Sequence, residues 1–276
     1  LDEGGLGKHS RDALDTILAG HTLSFGLSRG AASFNQRAQT TPRDLPLQLD
    51  LLTALITDPG YRREGEVQYR QSVTNYFARL RATPQSALQS DLGAIISDDD
   101  PRFSLQSLQD YRQLGYDKLR DDIGDRLAHG AIEVGIVGDI DEDRAIALVA
   151  KTLGALPPRE PTFRSYDDQP QRTFTADRSP RVIHHTGPAD QALLRITWPT
   201  RDDSDPVAAL TLEMLERVMR VQLTDRLREA LGKAYSPSAN SWLSRHWKGY
   251  GTFSVNASVD VRDVPATREA IHKVVQ

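Results

Sequence analysis

The chain has no cysteine among its 276 residues. This excludes disulfides, thiolate metal sites and cysteine nucleophiles at once, and it fits either the cytoplasm or the periplasm. No apolar run reaches membrane-spanning length, and the start, Leu1-Asp2-Glu3-Gly4-Gly5, is acidic and glycine-rich, unlike a secretory signal. Positive charge is not in excess either. The formal net charge is -4, so nothing recommends nucleic acid as a partner. No glycine cluster carries the lysine and spacing of a phosphate-binding loop. An initiator methionine is lacking, and the sequence stops at His272-Lys273-Val274-Val275-Gln276 within a helical pattern, so a segment excised from a longer protein is expected.

What is present suits two domains of moderate size, with 38% hydrophobic and 26% charged residues. A short helix is expected from Ser10, its N-cap, to Leu18, followed by strands at His21 to Arg29 and around Ala32 to Gln39. Leu45, Leu49, Leu52 and Ile56 form a one-sided stripe on a helix that Asp58-Pro59-Gly60 ends. Further helices are predicted from Arg63 to Arg81, from Pro84 to Ile96 and, as one or two pieces, from Ser107 to Ala128. Ala131 to Gly138 reads as a strand, and Asp141 as the cap of the helix after it. Residues 161–180, rich in Pro, Asp, Gln and Arg, read as a linker between domains at 1–160 and 181–276. Past it come strands at Arg181 to Gly187 and Gln191 to Pro199, a long helix from Pro206 to Leu231, and a strand from Gly251 to Val259.

The most informative stretch is Leu227-Arg228-Glu229-Ala230-Leu231-Gly232-Lys233-Ala234-Tyr235-Ser236. Gly232 is a natural helix stop, because glycine takes the left-handed conformation without a side-chain clash. Arg228 then falls in the last turn and Tyr235 in the extended segment beyond, so a guanidinium and a phenol flank one corner. Both donate hydrogen bonds, which suits a peptide carbonyl or the oxyanion formed when one is attacked. Spacing alone leaves open a solvated arginine and a half-buried ring.

That stretch resembles the C-terminal signature of the insulinase/pitrilysin (M16) zinc metallopeptidases. The likeness extends to Gln48 to Tyr61, a helix ending in Asp58-Pro59, to Glu133 to Asp141 with Ala155-Leu156-Pro157-Pro158-Arg159, and to Asp190-Gln191-Ala192-Leu193-Leu194. The resemblance implies an α+β chain of two LuxS/MPP-like metallohydrolase-type domains, both truncated. Each would be a mainly antiparallel sheet with helices packed on one face. It also implies a role for Arg228 and Tyr235 as substrate and oxyanion contacts, with Ser236 beside them as a substrate contact.

The family's inverted zinc motif, His-x-x-Glu-His, is missing. Where it would sit, after Gly5-Leu6-Gly7, the chain reads Lys8-His9-Ser10-Arg11-Asp12, and the helix that would bring a third ligand reads Val73-Thr74-Asn75-Tyr76. Lysine and arginine there would repel a cation. The implied identity is the metal-free half of such a peptidase, with no cofactor of its own. Its partners would be a zinc-bearing half, on the same chain or a separate subunit, and unfolded peptides. Periplasm or cell envelope is favoured over cytoplasm. A scaffold or assembly subunit of the same fold is the alternative, and an independent peptide-binding chain is a third reading.

Other constellations are weaker. Gly26-Leu27-Ser28-Arg29-Gly30 matches a nucleophile-elbow pattern, but Ala31 to Thr41 lacks the helix an elbow requires. His184 and His185 are neighbours on an expected strand and point to opposite faces. His9 with Asp12 lies beside two cations, Asp98-Asp99-Asp100 reads as a solvated turn, and Asp139 and Asp141 as a strand end and a cap.

Overall fold

The computed structural model describes residues 1–30, 32–165, 171–231 and 237–275, the side chains at 230 and 231 excepted. Its helices are α1 (Arg11–Ile17), α2 (Leu45–Thr57), α3 (Arg63–Arg79), α4 (Pro84–Ile96), α5 (Leu108–Gln113), α6 (Tyr116–His129), α7 (Glu142–Lys151), α8 (Pro206–Leu231) and α9 (Val264–Val275). The strands are β1 (Ser28–Arg29), β2 (Phe34–Asn35), β3 (Gln191–Thr200), β4 (Ser238–Leu243) and β5 (Gly251–Asp260), in two antiparallel sheets. The fold class is α+β, as expected. The chain divides into two compact units: Leu1–Thr74 with Ser107–Gln169, and Asn75–Gln106 with Pro170–Gln276.

In the first unit α2 is the organising element. Its stripe of Leu45, Leu49, Leu52 and Ile56 packs with Leu148, Val149 and Leu153. Its other side, Leu51 and Leu55, meets Leu6, Leu14, Leu23, Phe25 and Leu27. A helix apolar on both sides is buried on both. Ser10 caps α1 by accepting from the Ala13 N–H at 3.2 Å, and Asp141 caps α7 by accepting from Arg144 N–H at 2.8 Å. Arg62 fastens the entry to α1, donating to the carbonyls of Gly4 at 3.1 Å and Gly7 at 2.8 Å and to that of Leu6.

Four expected strands need correction. From His21 to Arg29 only Ser28 and Arg29 join a ladder, and from Ala32 to Gln39 only Phe34 and Asn35. The alternation at Leu23, Phe25 and Leu27 does face the core, but side chains replace the partner strand. Asp44 accepts from Thr22 N–H at 3.0 Å, Gln48 accepts from Ser24 N–H at 2.7 Å and donates to Ser24 O at 2.8 Å, and Asp2 accepts from Leu27 N–H at 3.4 Å. Ala131 to Gly138 joins no ladder among the described residues, and Ile132, Val134, Ile136 and Val137 are exposed. Arg181 to Gly187 likewise forms no strand; its Thr186 N–H donates instead to Arg81 O at 2.7 Å.

In the second unit the sheet order is β3-β5-β4. Leu194, Ile196 and Trp198 of β3, Phe253 and Val255 of β5 and Ala239 of β4 make one apolar face, covered by Leu212, Met219 and Leu223 of α8 and Ile271 and Val274 of α9. Helices therefore pack on one face of an antiparallel sheet. Alternation sends the neighbouring residues to the opposite face. A second row on α8, Val207, Leu210, Met214, Val218 and Val221, is exposed.

Candidate functional site

The last turn of α8 is held by Leu227, which is fully buried against Ala257, Val259 and Ala270. One residue further round the helix, about 100° at 3.6 residues per turn, Arg228 faces solvent with 66% of its side chain exposed. Its Nη1 stands 3.7 Å from Asp225 Oδ1. An exposed pair at that separation holds the side chain only weakly, so the guanidinium can take a carbonyl or carboxylate. Tyr235 and Ser236, and the helix stop at Gly232, lie outside the described residues. The described chain resumes at Pro237, and β4 begins at Ser238, opposite Asn256 of β5. Both flanks of the stretch are thus anchored to one sheet, the helix through Leu227 and the strand through its ladder.

The segment Lys8 to Asp12, expected to stand where the zinc motif would sit, makes structural contacts instead. Ser10 caps α1, while Arg11 pairs with Asp15 at 3.1 Å and lies 5.4 Å from the centre of the Phe25 ring. With Lys8 and Arg11 contributing positive charge and no glutamate in place, these residues do not fit zinc. Thr74, in the segment where the third ligand would lie, donates to Arg70 O at 2.8 Å and accepts from Arg112 Nη2 at 3.0 Å. No three His, Cys, Asp or Glu side chains gather in a metal-holding group among the described residues.

The remaining candidates resolve into structural roles. Ser28 donates its hydroxyl to Asn35 O at 2.8 Å inside the small ladder, with no helix after it. His185 accepts from Gly187 N–H through Nδ1 at 3.1 Å, which puts the ring proton on Nε2, 3.0 Å from Gln191 O. Asp98 accepts from the Thr175 hydroxyl, and Asp100 pairs with Arg102 at 2.6 Å, a bond that holds the Asp100 carboxyl below its ordinary range. Asp202 is lowered to about 2, chiefly by the Gly249 N–H and then by the hydroxyl and N–H of Ser204. Sequence reasoning passed over Arg195, a half-buried cation on the polar side of β3, although the alternation of that strand was a signal for it.

The family model described as "Peptidase M16 inactive domain" matches residues 113–276. No curated protein matches the chain. Among solved structures, the ferredoxin protease FusC in complex with Arabidopsis ferredoxin is similar at 14% identity and a TM-score of 0.72, over 99% of this chain and 30% of that one. A peptidase M16 inactive domain from Pseudomonas fluorescens is similar at 15% identity and a TM-score of 0.73, over 99% of this chain and 66% of that one. The periplasmic protease PqqL from Escherichia coli shows 13% identity and a TM-score of 0.61, over 98% of this chain and 31% of that one. These likenesses concern the fold, and the chain spans under a third of the first and third of these relatives.

Proposed function

The chain belongs to the M16 peptidase family, on whose inactive-domain model residues 113–276 fall, and from that premise we propose that it is the substrate-binding, metal-free half of a zinc peptidase. The observation that carries the reading is this match, which covers the Arg228 helix, together with a segment at Lys8 to Asp12 that does not fit zinc. In this reading the chain contributes two domains, 1–160 and 181–276, joined by 161–180. They close with a zinc-bearing half around an unfolded peptide. Arg228 holds substrate carbonyls, Tyr235 donates its phenol to the oxyanion of the attacked peptide bond, and Ser236 contacts the substrate. Proteolysis is a property of the assembled enzyme, and the segment alone is inactive. The compartment proposed is the bacterial periplasm or envelope, supported by likeness to a periplasmic protease.

The exposure of Arg228 at a well-anchored helix end favours this reading over a scaffold subunit of the same fold, which has no use for a poised guanidinium. The test is peptide hydrolysis by the full parent enzyme, zinc-loaded, comparing wild type with Tyr235→Phe and Arg228→Ala after each is shown to fold. A loss of roughly a hundredfold at unchanged zinc content is expected, as for removal of one oxyanion donor. Unchanged rates would assign the chain to scaffolding.

A further inference from the structure

The second unit's sheet has one apolar face under helices and one polar face, and the polar face carries a row of side chains directly across its three strands. Arg195 of β3 stands opposite Asn256 of β5, which stands opposite Ser238 of β4. The three are joined: Arg195 Nη1 donates to Asn256 Oδ1 at 3.1 Å, and Asn256 Nδ2 donates to Ser238 Oγ at 3.3 Å. Arg195 Nε donates to Thr197 Oγ1 at 3.0 Å. The guanidinium is thus fixed at two points by neutral oxygens. Three of its five N–H donors, on Nη1 and Nη2, take no part in those two bonds.

A surface arginine normally keeps its head in water or beside a carboxylate. Arg195 departs from this: it is half-buried, and no carboxylate among the described residues pairs with it. Burial alone pushes its pKa down, with no acid nearby to push it back. Neighbours on this face, Thr197, Thr252, Ser254, Ser258 and Asn240, are all uncharged; Ser254 is buried, while Asn240 and Ser258 are exposed, so a ligand has access to the row from the Ser258 and Asn240 sides. The chain as a whole carries a net charge of -4 and would not gather anions by its general field. The attraction has to be local.

We propose that the Arg195–Asn256–Ser238 row is a carboxylate-recognition subsite, and that the peptides this half binds are those carrying an acidic side chain or a free C-terminal carboxylate within reach of it. The inference rests on the peptide-binding reading above and adds a substrate class to it. A planar guanidinium already oriented by Asn256 and Thr197 presents paired donors to a carboxylate with little further ordering, and such charge-assisted pairs are stronger than neutral ones. Asparagine and serine extend the donor row across the sheet.

The test is fluorescence anisotropy with the full parent enzyme, its zinc removed so that bound peptide is not cleaved, and three short extended peptides. One is neutral with both ends blocked, one is the same with a single glutamate, and one is neutral with a free C-terminal carboxylate. Expected is binding about tenfold tighter for at least one carboxylate-bearing peptide, the usual scale of a hydrogen bond to a charged group. Which of the two gains identifies the source of the carboxylate. Arg195→Gln should erase the gain, bringing the carboxylate-bearing peptide to the affinity of the neutral one, and Arg195→Lys should keep part of it. The peptide comparison on the unsubstituted protein stands even where a variant folds poorly. Equal affinity for all three peptides, or a gain that survives Arg195→Gln, overturns the subsite and leaves the peptide-binding reading intact. Failure to bind any peptide overturns both, whereas the hydrolysis test on Arg228 and Tyr235 reads the broader proposal without involving Arg195.

Discussion

Glu216 of α8 accepts hydrogen bonds from both the backbone N–H and the hydroxyl of Ser241 on β4, the hydroxyl at 2.6 Å. β4 is an edge strand of its sheet, and the Ser241 N–H is directed at this carboxylate. A helix side chain thus covers a donor that an incoming strand would otherwise use. Glu216→Ala should lower the unfolding free energy by about 1.5–3 kcal/mol, the range for hydrogen bonds to a charged group. It should also promote self-association through the uncovered edge. Urea denaturation with size-exclusion chromatography checks both, and a variant with the stability and oligomeric state of wild type would refute the edge-cap role.

The two apolar sides of α8 should respond differently to truncation. Leu223 is fully buried among Met219, Phe253, Val255 and Ile271, whereas Met214, on the other side, is 58% exposed. Leu223→Ala should cost about 2–5 kcal/mol through lost transfer energy and the cavity left behind. Met214→Ala should stay within about 0.5 kcal/mol. A comparable loss at both positions, measured by denaturation midpoint at constant slope, would mean that the exposed row is covered in solution.

Asp44 should make the first unit acid-sensitive. Its buried carboxylate accepts from Arg43 Nε at 3.0 Å, Thr22 N–H at 3.0 Å and His21 Nδ1 at 2.9 Å. These bonds, Arg43 foremost, hold its pKa well below the ordinary carboxylate range. Because the folded value is the lower one, the stabilisation is present above the unfolded value of about pH 4 and is lost as pH falls through the folded value. Asp44→Asn should therefore melt lower than wild type at pH 7, with the difference shrinking under strongly acidic conditions. A gap that stays constant with pH would remove ionisation from the explanation.

Helices were largely legible in the sequence, because their signals are local. Ser10 and Asp141 announced their caps, and the spacing of Leu45, Leu49, Leu52 and Ile56 picked out the residues that meet Leu153. The opposite side of the same helix escaped, since Leu51 and Leu55 break a one-sided pattern and only their packing against Leu6 and Leu14 explains them. Strands were legible as facing but not as pairing. Leu23, Phe25 and Leu27 alternate correctly, yet a ladder depends on a distant partner, and here Asp44 and Gln48 supply the hydrogen bonds. Polar stretches without period were the least readable. Arg172 gives no sequence signal, but its guanidinium lies 3.9 Å from the Phe103 ring centre and 4.4 Å from that of Tyr250. Of the candidate corner, the place of Arg228 in the last turn of α8 was legible, and its anchoring through Leu227 emerged only from the packing.

Arg159 illustrates how a side chain remote in sequence can finish a helix. The last carbonyls of a helix have no partner within it. At the end of α6 Arg159 supplies them, with Nε donating to Gly130 O at 2.7 Å, Nη1 to Ala128 O at 3.0 Å, and Nη2 to Leu127 O at 2.8 Å and Arg126 O at 3.4 Å. The geometry needs a planar fork, which lysine lacks, and the positive charge also suits the negative end of the helix dipole. Arg159→Ala should destabilise the first unit by about 1.5–3 kcal/mol, since the bonds lost involve a charged donor. Arg159→Lys should recover the charge term alone, typically 0.3–1 kcal/mol. Amide hydrogen exchange in the last turn of α6 should accelerate in both variants, more in the alanine. Full rescue by lysine would show that charge rather than the fork closes this helix.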